Sequence, residues 1–403
     1  SGMDYLSHTG KFHTSWGDFH SMKNKEALEY ECFRMLAYNS KCLIGDQLHP
    51  DGRISPEVYD LIGDVYAQVE KKEPWCTKAT EVVELGVLTS EYYKTDSDSS
   101  LKKIPDEITG ICALLDELGY QFNIIDEDED FRKYKIVILP DNILCSDFLA
   151  DKIDNYIADG GRLIASYRSG LNYSETEFAI KRLGISLVGD APYSPDFLVP
   201  TSEYGKRLFK TEYVMYNQGK EIKINDAKEV VKAYIPYFNR TWEHFCSHLH
   251  TPSSHKYGYP GITECKGNYY FMHPIFSIYQ EKHPKWCKEF LRDVLETLIP
   301  QPLIKHNGPS TMTVTVNEQK EKGRYIIHIL HYIPNKIADE ILTIEDVIPL
   351  YNIKLSVCLP HAVNGVTLVP DKEQLDYEIF QNNEISFTVP KISGHCMIEL
   401  SYK

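Results

Sequence analysis

The sequence predicts an α/β protein built in three segments, and three observations predict it. Near-continuous apolar runs of strand length, at residues 82–88 and 135–139, alternate with helical stretches through the middle of the chain. The first 76 residues alternate strand and helix twice. After Pro300-Gln301-Pro302 the texture changes to short β-type runs parted by Gly, Pro and Asn.

In the first segment the pattern predicts a strand at 11–15, a helix at 24–38, a strand at 41–44 and the helix Pro56–Lys72. The last is the clearest. Val58, Leu61, Ile62, Val65, Tyr66 and Val69 recur at the spacing of one buried helical face, and Ser55-Pro56 supplies a cap and a first-turn proline. The middle segment reads as strands at 82–88, 121–125, 135–139 and 162–166, with helices at 105–118 and 147–158 closed by Gly119 and by Gly160-Gly161. That alternation predicts a flavodoxin-like, doubly wound parallel sheet, to which the Tyr-, Pro- and His-rich region 190–279 adds strands and long loops before a helix at 284–298. The runs at 311–316, 324–330, 353–359 and 385–389 predict a C-terminal β-sandwich of about 100 residues. The expected boundaries are 1–76, 77–302 and 303–403.

With 43 Lys plus Arg against 58 Asp plus Glu, the formal charge is -15, and no basic run is long enough to follow a phosphate backbone. Nucleic acid is not an expected partner. No apolar stretch approaches the roughly 20 residues that span a bilayer, so no membrane is expected either. Ten cysteines stand singly, without CxxC pairs, which suits reduced thiols in a cytoplasm. Ser1-Gly2-Met3 reads as a cloning remnant before a start methionine, with no leader after it.

Polar groups gather where the first two strands end. Trp16-Gly17-Asp18 follows one, and Gly45-Asp46-Gln47-Leu48-His49-Pro50-Asp51-Gly52 follows the other. In a TIM barrel the catalytic face lies at the C-terminal ends of the strands. Glycoside hydrolysis uses two carboxylates beside the sugar bond, and Trp16, Asp18, Asp46, Gln47 and His49 are suitable types for the wall of such a site. Asp18 and Asp46 equally suit a structural role at a strand end, and Asp51-Gly52 reads as turn chemistry.

His13 to Phe19, and above all Gly45 to Cys76 (GDQLHPDGRISPEVYDLIGDVYAQVEKKEPWC), resemble the end of the barrel in glycosidases related to α-L-fucosidases. The following segment resembles the trimerisation domain of certain β-galactosidases, a relative of class I glutamine amidotransferases. The resemblance implies a TIM barrel, an oligomerisation domain favouring a trimer, a β-sandwich and a carbohydrate substrate. About 70 residues precede the second segment, whereas a barrel takes about 250. An incomplete TIM-barrel remnant of two βα units is therefore expected, with the nucleophile and acid/base on strands not present, and with little turnover by the chain alone. The alternative is a non-catalytic oligomerisation or carbohydrate-binding module.

An amidotransferase would place a Cys after the strand at 162–166, where this chain has Tyr167-Arg168-Ser169-Gly170. Arg240, Trp242, Glu243 and His244, in a loop that also holds Cys246, His248 and His250, are apt for sugar contact; His244 and His248 would share a metal only on a helix. The acidic run 126–130 lacks calcium-loop spacing and reads as a solvated loop. No GxGxxG follows a strand, so neither cofactor nor metal is expected.

Overall fold

The computed structural model describes residues 5–89, 104–336 and 341–403. Ser1-Gly2-Met3 lies outside them. The chain forms two compact units, one of Ser1–Val83 with Pro302–Lys403 and one of Glu84–Gln301.

In the first unit, strand Leu6–Gly10 pairs in parallel with Lys41–Gly45, from Leu6 opposite Lys41 to Gly10 opposite Gly45. The first strand thus lies five residues before the expected 11–15; Lys11 to Ser15 belongs to the loop that follows. Helix Lys25–Ala37 crosses between the two strands, and helix Pro56–Lys72 follows the second with the expected bounds.

Two antiparallel sheets complete this unit. The four-stranded sheet runs in the order Ile304–His306, Leu350–Cys358, Glu384–Ile392, Tyr377–Ile379. The six-stranded sheet runs Glu373–Gln374, Val363–Val369, Gly394–Tyr402, Arg324–His331, Met312–Gln319, Thr80–Glu81. One core is shared by both, with Val314, Val316, Ile327 and Leu400 meeting Leu355, Val357 and Phe387.

Strand alternation decides what covers the other face of the six-stranded sheet. Alternating with Val314 and Val316, the opposite face carries Thr315 and Asn317, whose side chains donate to Ala37 O at 2.7 and 3.1 Å and so satisfy a carbonyl at the end of helix Lys25–Ala37. Leu330 and Tyr332 join Leu28, Phe33 and Leu36 in a second core. Trp75 Nε1 donates to Glu399 at 2.6 Å beside Ile326 and Met397.

The second unit is built on a nine-stranded sheet in the order Tyr213–Met215, Asp196–Val199, Lys228–Pro236, Ser253–Cys265, Asn268–Phe271, Arg162–Ser166, Ile136–Leu139, Leu85–Leu88, Phe122–Ile125. The last five are parallel. Taken in chain order they stand 2-1-3-4-5, so the winding reverses between Leu85–Leu88 and Ile136–Leu139. Helix Asp106–Leu118 ends at Gly119 (φ 76°), and Ser146 Oγ caps Asp147–Ala158 by accepting from Leu149 N–H at 3.1 Å. Gly110 allows helix Ile275–Lys282 to approach: a Cβ there would stand 2.0 Å from Phe276 O. No helix among the described residues is long and apolar enough to cross a membrane.

Candidate functional site

Gly10 and Gly45 stand opposite each other at the last register position of the parallel pair, and the chain leaves the sheet at both. The loop after Gly10 is pinned to that end. Lys11 N–H donates to Gly45 O at 3.0 Å, Lys23 N–H to Lys11 O at 2.8 Å, and Ser21 Oγ to Asp18 O at 2.8 Å.

This loop lays Trp16 on the strand. A Cβ on Gly45 would meet both His8 Nε2 and Trp16 Cζ3 at 2.5 Å, so the indole occupies space only glycine leaves. Phe12 and His8 meet Trp16 edge-on at 5.1 and 5.8 Å. Over half of the indole, 56%, remains exposed. A braced, exposed aromatic face of this kind suits an apolar face of a ligand ring.

Asp46 follows Gly45 with its carboxylate almost buried, 4.0 Å from Lys11 Nζ. Lys11 is buried as well, donating to Ser21 O at 2.9 Å and lying 4.6 Å from the Phe12 ring. Each charge gives the other a counter-charge out of water. Asp18 makes a local contact: it accepts from Thr14 Oγ1 at 2.6 Å, and that bond holds its carboxyl below the usual range. His49 meets Phe19 and His20 edge-on, each at 5.3 Å. Gln47 reaches Leu48 O at 3.5 Å. Asp51 and Gly52 make the turn their types suggest: Gly52 (φ 78°) donates to His49 O at 2.8 Å and Asp51 accepts from Arg53 N–H at 3.2 Å.

The structure therefore brings Trp16, Asp46 and His49 to one strand end, and adds His8, Lys11, Phe12, Phe19 and His20, which the sequence reading did not single out. A strand beginning at Leu6 would have put His8 and Gly10 on one face and left Lys11 at the strand end. On the helix side Lys23 Nζ binds Glu31 at 2.7 and 2.8 Å and Thr9 at 2.9 Å, fixing helix to strand.

Arg240, Trp242, Glu243 and His244 belong to the other compact unit, on the loop between Lys228–Pro236 and Ser253–Cys265. Arg240 Nη1 donates to His248 O and Leu249 O, both at 2.9 Å, bracing its own loop. The His244 ring stacks on Phe238 at 3.7 Å. Trp242 is 86% exposed, and Glu243, Phe245 and Leu249 are exposed beside it.

After strand Arg162–Ser166 the chain makes the sharp left-handed turn that a nucleophile elbow uses, with Tyr167 at φ 53°. The phenol side chain stands where a thiol would be needed. At the neighbouring strand end Asp141 (φ 44°) accepts from Ser166 Oγ and from the Ser277 hydroxyl and amide, all at 2.7 Å. Burial pushes its carboxyl up to about 6. The first turn of helix Ile275–Lys282 is thus turned onto the protein's own carboxylate. In the acidic loop, Asp126 accepts from Asp128 N–H at 3.0 Å and Asp130 pairs with Arg132 at 2.9 Å. Among the described residues no group of three or more His, Cys, Asp or Glu is placed to hold a metal ion.

Residues 94–181 match the family model of the β-galactosidase trimerisation domain. Among solved structures, α-L-fucosidase isoenzyme 2 from Paenibacillus thiaminolyticus is similar with a TM-score of 0.95 and 35% identity, covering 100% of this chain and 61% of that one. The β-galactosidase from Bacillus circulans sp. alkalophilus has a TM-score of 0.63 at 14% identity, covering 100% of this chain and 56% of its own. That from Rahnella sp. R3 has 0.62 at 14%, covering 98% and 54%. These two likenesses are of fold alone. No curated protein matches the sequence. The chain spans about three fifths of the fucosidase's length and a little over half of the galactosidases'. It has a glycoside-hydrolase-related fold and carries a β-galactosidase trimerisation domain.

Proposed function

We propose that this chain is the C-terminal portion of a glycoside hydrolase, α-L-fucosidase-like or β-galactosidase-like, that removes terminal sugars when its barrel is complete and turns over little by itself. The observation that carries this reading is 35% identity to an α-L-fucosidase over the whole chain. In it, the strands Leu6–Gly10 and Lys41–Gly45 are two barrel strands, the parallel sheet of the 84–301 unit is the flavodoxin-like oligomerisation domain, and the two C-terminal sheets are a β-sandwich. Leu6 and Leu43, on the face of the strand pair away from the helices, are 55% and 37% exposed, as expected of a barrel interior awaiting further strands.

In this reading Trp16 offers a stacking face, while Asp46, Gln47 and His49 wall the sugar site. Asp46 is paired with Lys11 and Asp18 with Thr14, so neither is set up as the nucleophile, and the two catalytic carboxylates come from other strands. Purified chain mixed with nitrophenyl α-L-fucoside or β-D-galactoside should release little nitrophenol. Brisk, saturable release would sink the incomplete-barrel reading.

A second reading, favoured by the trimerisation-domain match, is a non-catalytic homo-oligomerisation or carbohydrate-binding module. Light scattering at micromolar concentration should give a trimer; a strict monomer would count against an assembly role.

A further inference from the structure

Helix Lys25–Ala37 and strand Lys41–Gly45 are joined by a turn of three residues, so the chain doubles back and brings Cys32 over Cys42. The two thiols are free and meet at one core, where each shifts the other's ionisation. Cys32 is fully buried in the core formed with Phe33, Leu36 and Val65, and Cys42 packs against the same core. Their surroundings differ on the far side. Cys42 lines a cavity of about 860 Å³ that Ser40, Lys41, Tyr66, Glu70 and Cys76 also line. Tyr66 fixes the strand at this point, accepting from Ile44 N–H at 3.0 Å.

We propose that Cys42 is an oxidation site, taking oxygen from a hydroperoxide that enters through this cavity, and that Cys32 resolves it to a Cys32–Cys42 disulfide. The buried thiol cannot meet the oxidant itself, while the cavity-facing one can. That division into an accessible and a resolving sulfur is the arrangement of a reversible thiol switch.

The chemistry balances with hydrogen peroxide. The Cys42 sulfur attacks the O–O bond, taking one oxygen as sulfenic acid, and the other oxygen leaves as water with the Cys42 proton. The Cys32 sulfur then displaces the sulfenic hydroxyl. The S–S bond forms, and the hydroxyl leaves as a second water with the Cys32 proton. Two thiols are oxidised by two electrons in all, and one peroxide is reduced to two waters.

Exposure assigns the roles, Cys42 lining the cavity and Cys32 being fully buried, and the contact between the thiols agrees with it. That contact holds Cys42 below its ordinary range, whereas Cys32 is held above by the same contact and by burial. The disulfide would tie helix to strand three residues before Gly45, the residue beneath Trp16. The inference does not depend on glycoside hydrolysis.

The test is peptide mapping of the full chain after equimolar hydrogen peroxide, followed by alkylation. Trypsin cuts after Arg34 and Lys41, so the two cysteines fall on separate peptides. Expected is a linked pair two hydrogens lighter than its parts, formed at least about tenfold faster than oxidation of the half-buried Cys246 or Cys358. In Cys32→Ser, Cys42 should stop at a sulfenic acid trapped by a cyclic 1,3-dione; in Cys42→Ser, Cys32 should stay reduced. Oxidation of Cys246 or Cys358 ahead of Cys42, or of Cys32 in Cys42→Ser, would overturn the proposal. Should the buried Cys32→Ser fail to fold, the wild-type linkage and Cys42→Ser decide the matter alone.

Discussion

Lys72 Nζ lies 3.3 Å from the centroid of the Phe33 ring, at the end of helix Pro56–Lys72 and half-buried beside Cys76 and Cys396. Burial pushes this ammonium down to about 8. Between pH 8 and 10.5 the unfolded chain holds a proton that the folded chain has released, so stability rises with pH across that window and the cost is fully present below it. The aromatic face offsets part of that cost. Lys72→Met should therefore raise stability at pH 7 by about 1–2 kcal/mol and flatten the rise between pH 8 and 10. Urea midpoints at pH 7, 8, 9 and 10 measure both; a lower midpoint at pH 7 would mean that the aromatic contact outweighs desolvation.

His328 Nδ1 and His395 Nε2 stand 3.2 Å apart with their rings nearly parallel, and His395 stacks on Phe33 as well. Burial pushes His328 down to about 3 and His395 well below its ordinary value. Unfolded histidine takes up its proton near 6.5, so below that pH the unfolded state gains protons the folded state refuses, and stability falls continuously toward pH 3. By pH 4 each ring should cost up to about 3 kcal/mol. His328→Leu combined with His395→Leu should lose markedly less stability than wild type between pH 7 and 4, read as the difference in urea midpoints. Equal losses would place the acid sensitivity in other groups.

The sequence marks strands best where both faces are buried. Leu85–Leu88 and Ile136–Leu139 are apolar at every position but Gly86, because helices cover both sides of their sheet. Helix Pro56–Lys72 is legible to the residue because its first-turn proline and buried stripe agree, although Ser55 at its N-cap makes no side-chain cap bond. Strand Leu6–Gly10 has no such signal. Leu6 and His8 face away from the helices and Ser7 and Thr9 are polar, so hydrophobic pattern shifts the reading to 11–15 and hides Lys11 and His8. Nor can local pattern show that Thr315 and Asn317 cap a helix 278 and 280 residues earlier in the chain, or that Thr80–Glu81 pairs with Met312–Gln319. Trp16, Asp46 and His49 are legible as types at a strand end, whereas their neighbours depend on tertiary pairing.

Gly45 tests how the strand end holds its indole. Gly45→Ala places a methyl 2.5 Å from both His8 Nε2 and Trp16 Cζ3. The strand backbone cannot retreat without losing its pairing to Gly10, so the exposed Trp16 should be the group displaced. The expected cost is modest, about 1–2 kcal/mol, because the displaced ring swings into water rather than into a core. Tryptophan fluorescence should shift to the red relative to a Trp16→Phe control, in which Gly45→Ala should change nothing. An unchanged spectrum in the wild-type background would show that Trp16 does not lean on Gly45.

Asp141 makes a sharper demand, because everything it binds is buried with it. Its carboxylate joins the end of strand Ile136–Leu139 to Ser166 and to the first turn of helix Ile275–Lys282 through three bonds of 2.7 Å, and its own N–H donates to Ser166 Oγ at 2.8 Å. Asp141→Ala keeps the backbone bond but leaves the Ser277 amide and two hydroxyls without their acceptor, and puts an alanine at φ 44°. A loss of about 2–4 kcal/mol is expected from the unmet donors together with the left-handed backbone. The pH dependence separates this role from a solvent-exposed one. Because the folded carboxyl titrates near 6 rather than near 4, the folded state holds an extra proton in that interval, and the contribution of Asp141 should be largest below pH 4 and decline as pH rises through 6. Chemical denaturation of wild type and Asp141→Ala at pH 4 and 7 should give the larger difference at pH 4. A larger difference at pH 7 would show that the carboxylate, and not the protonated acid, is the form this buried site favours.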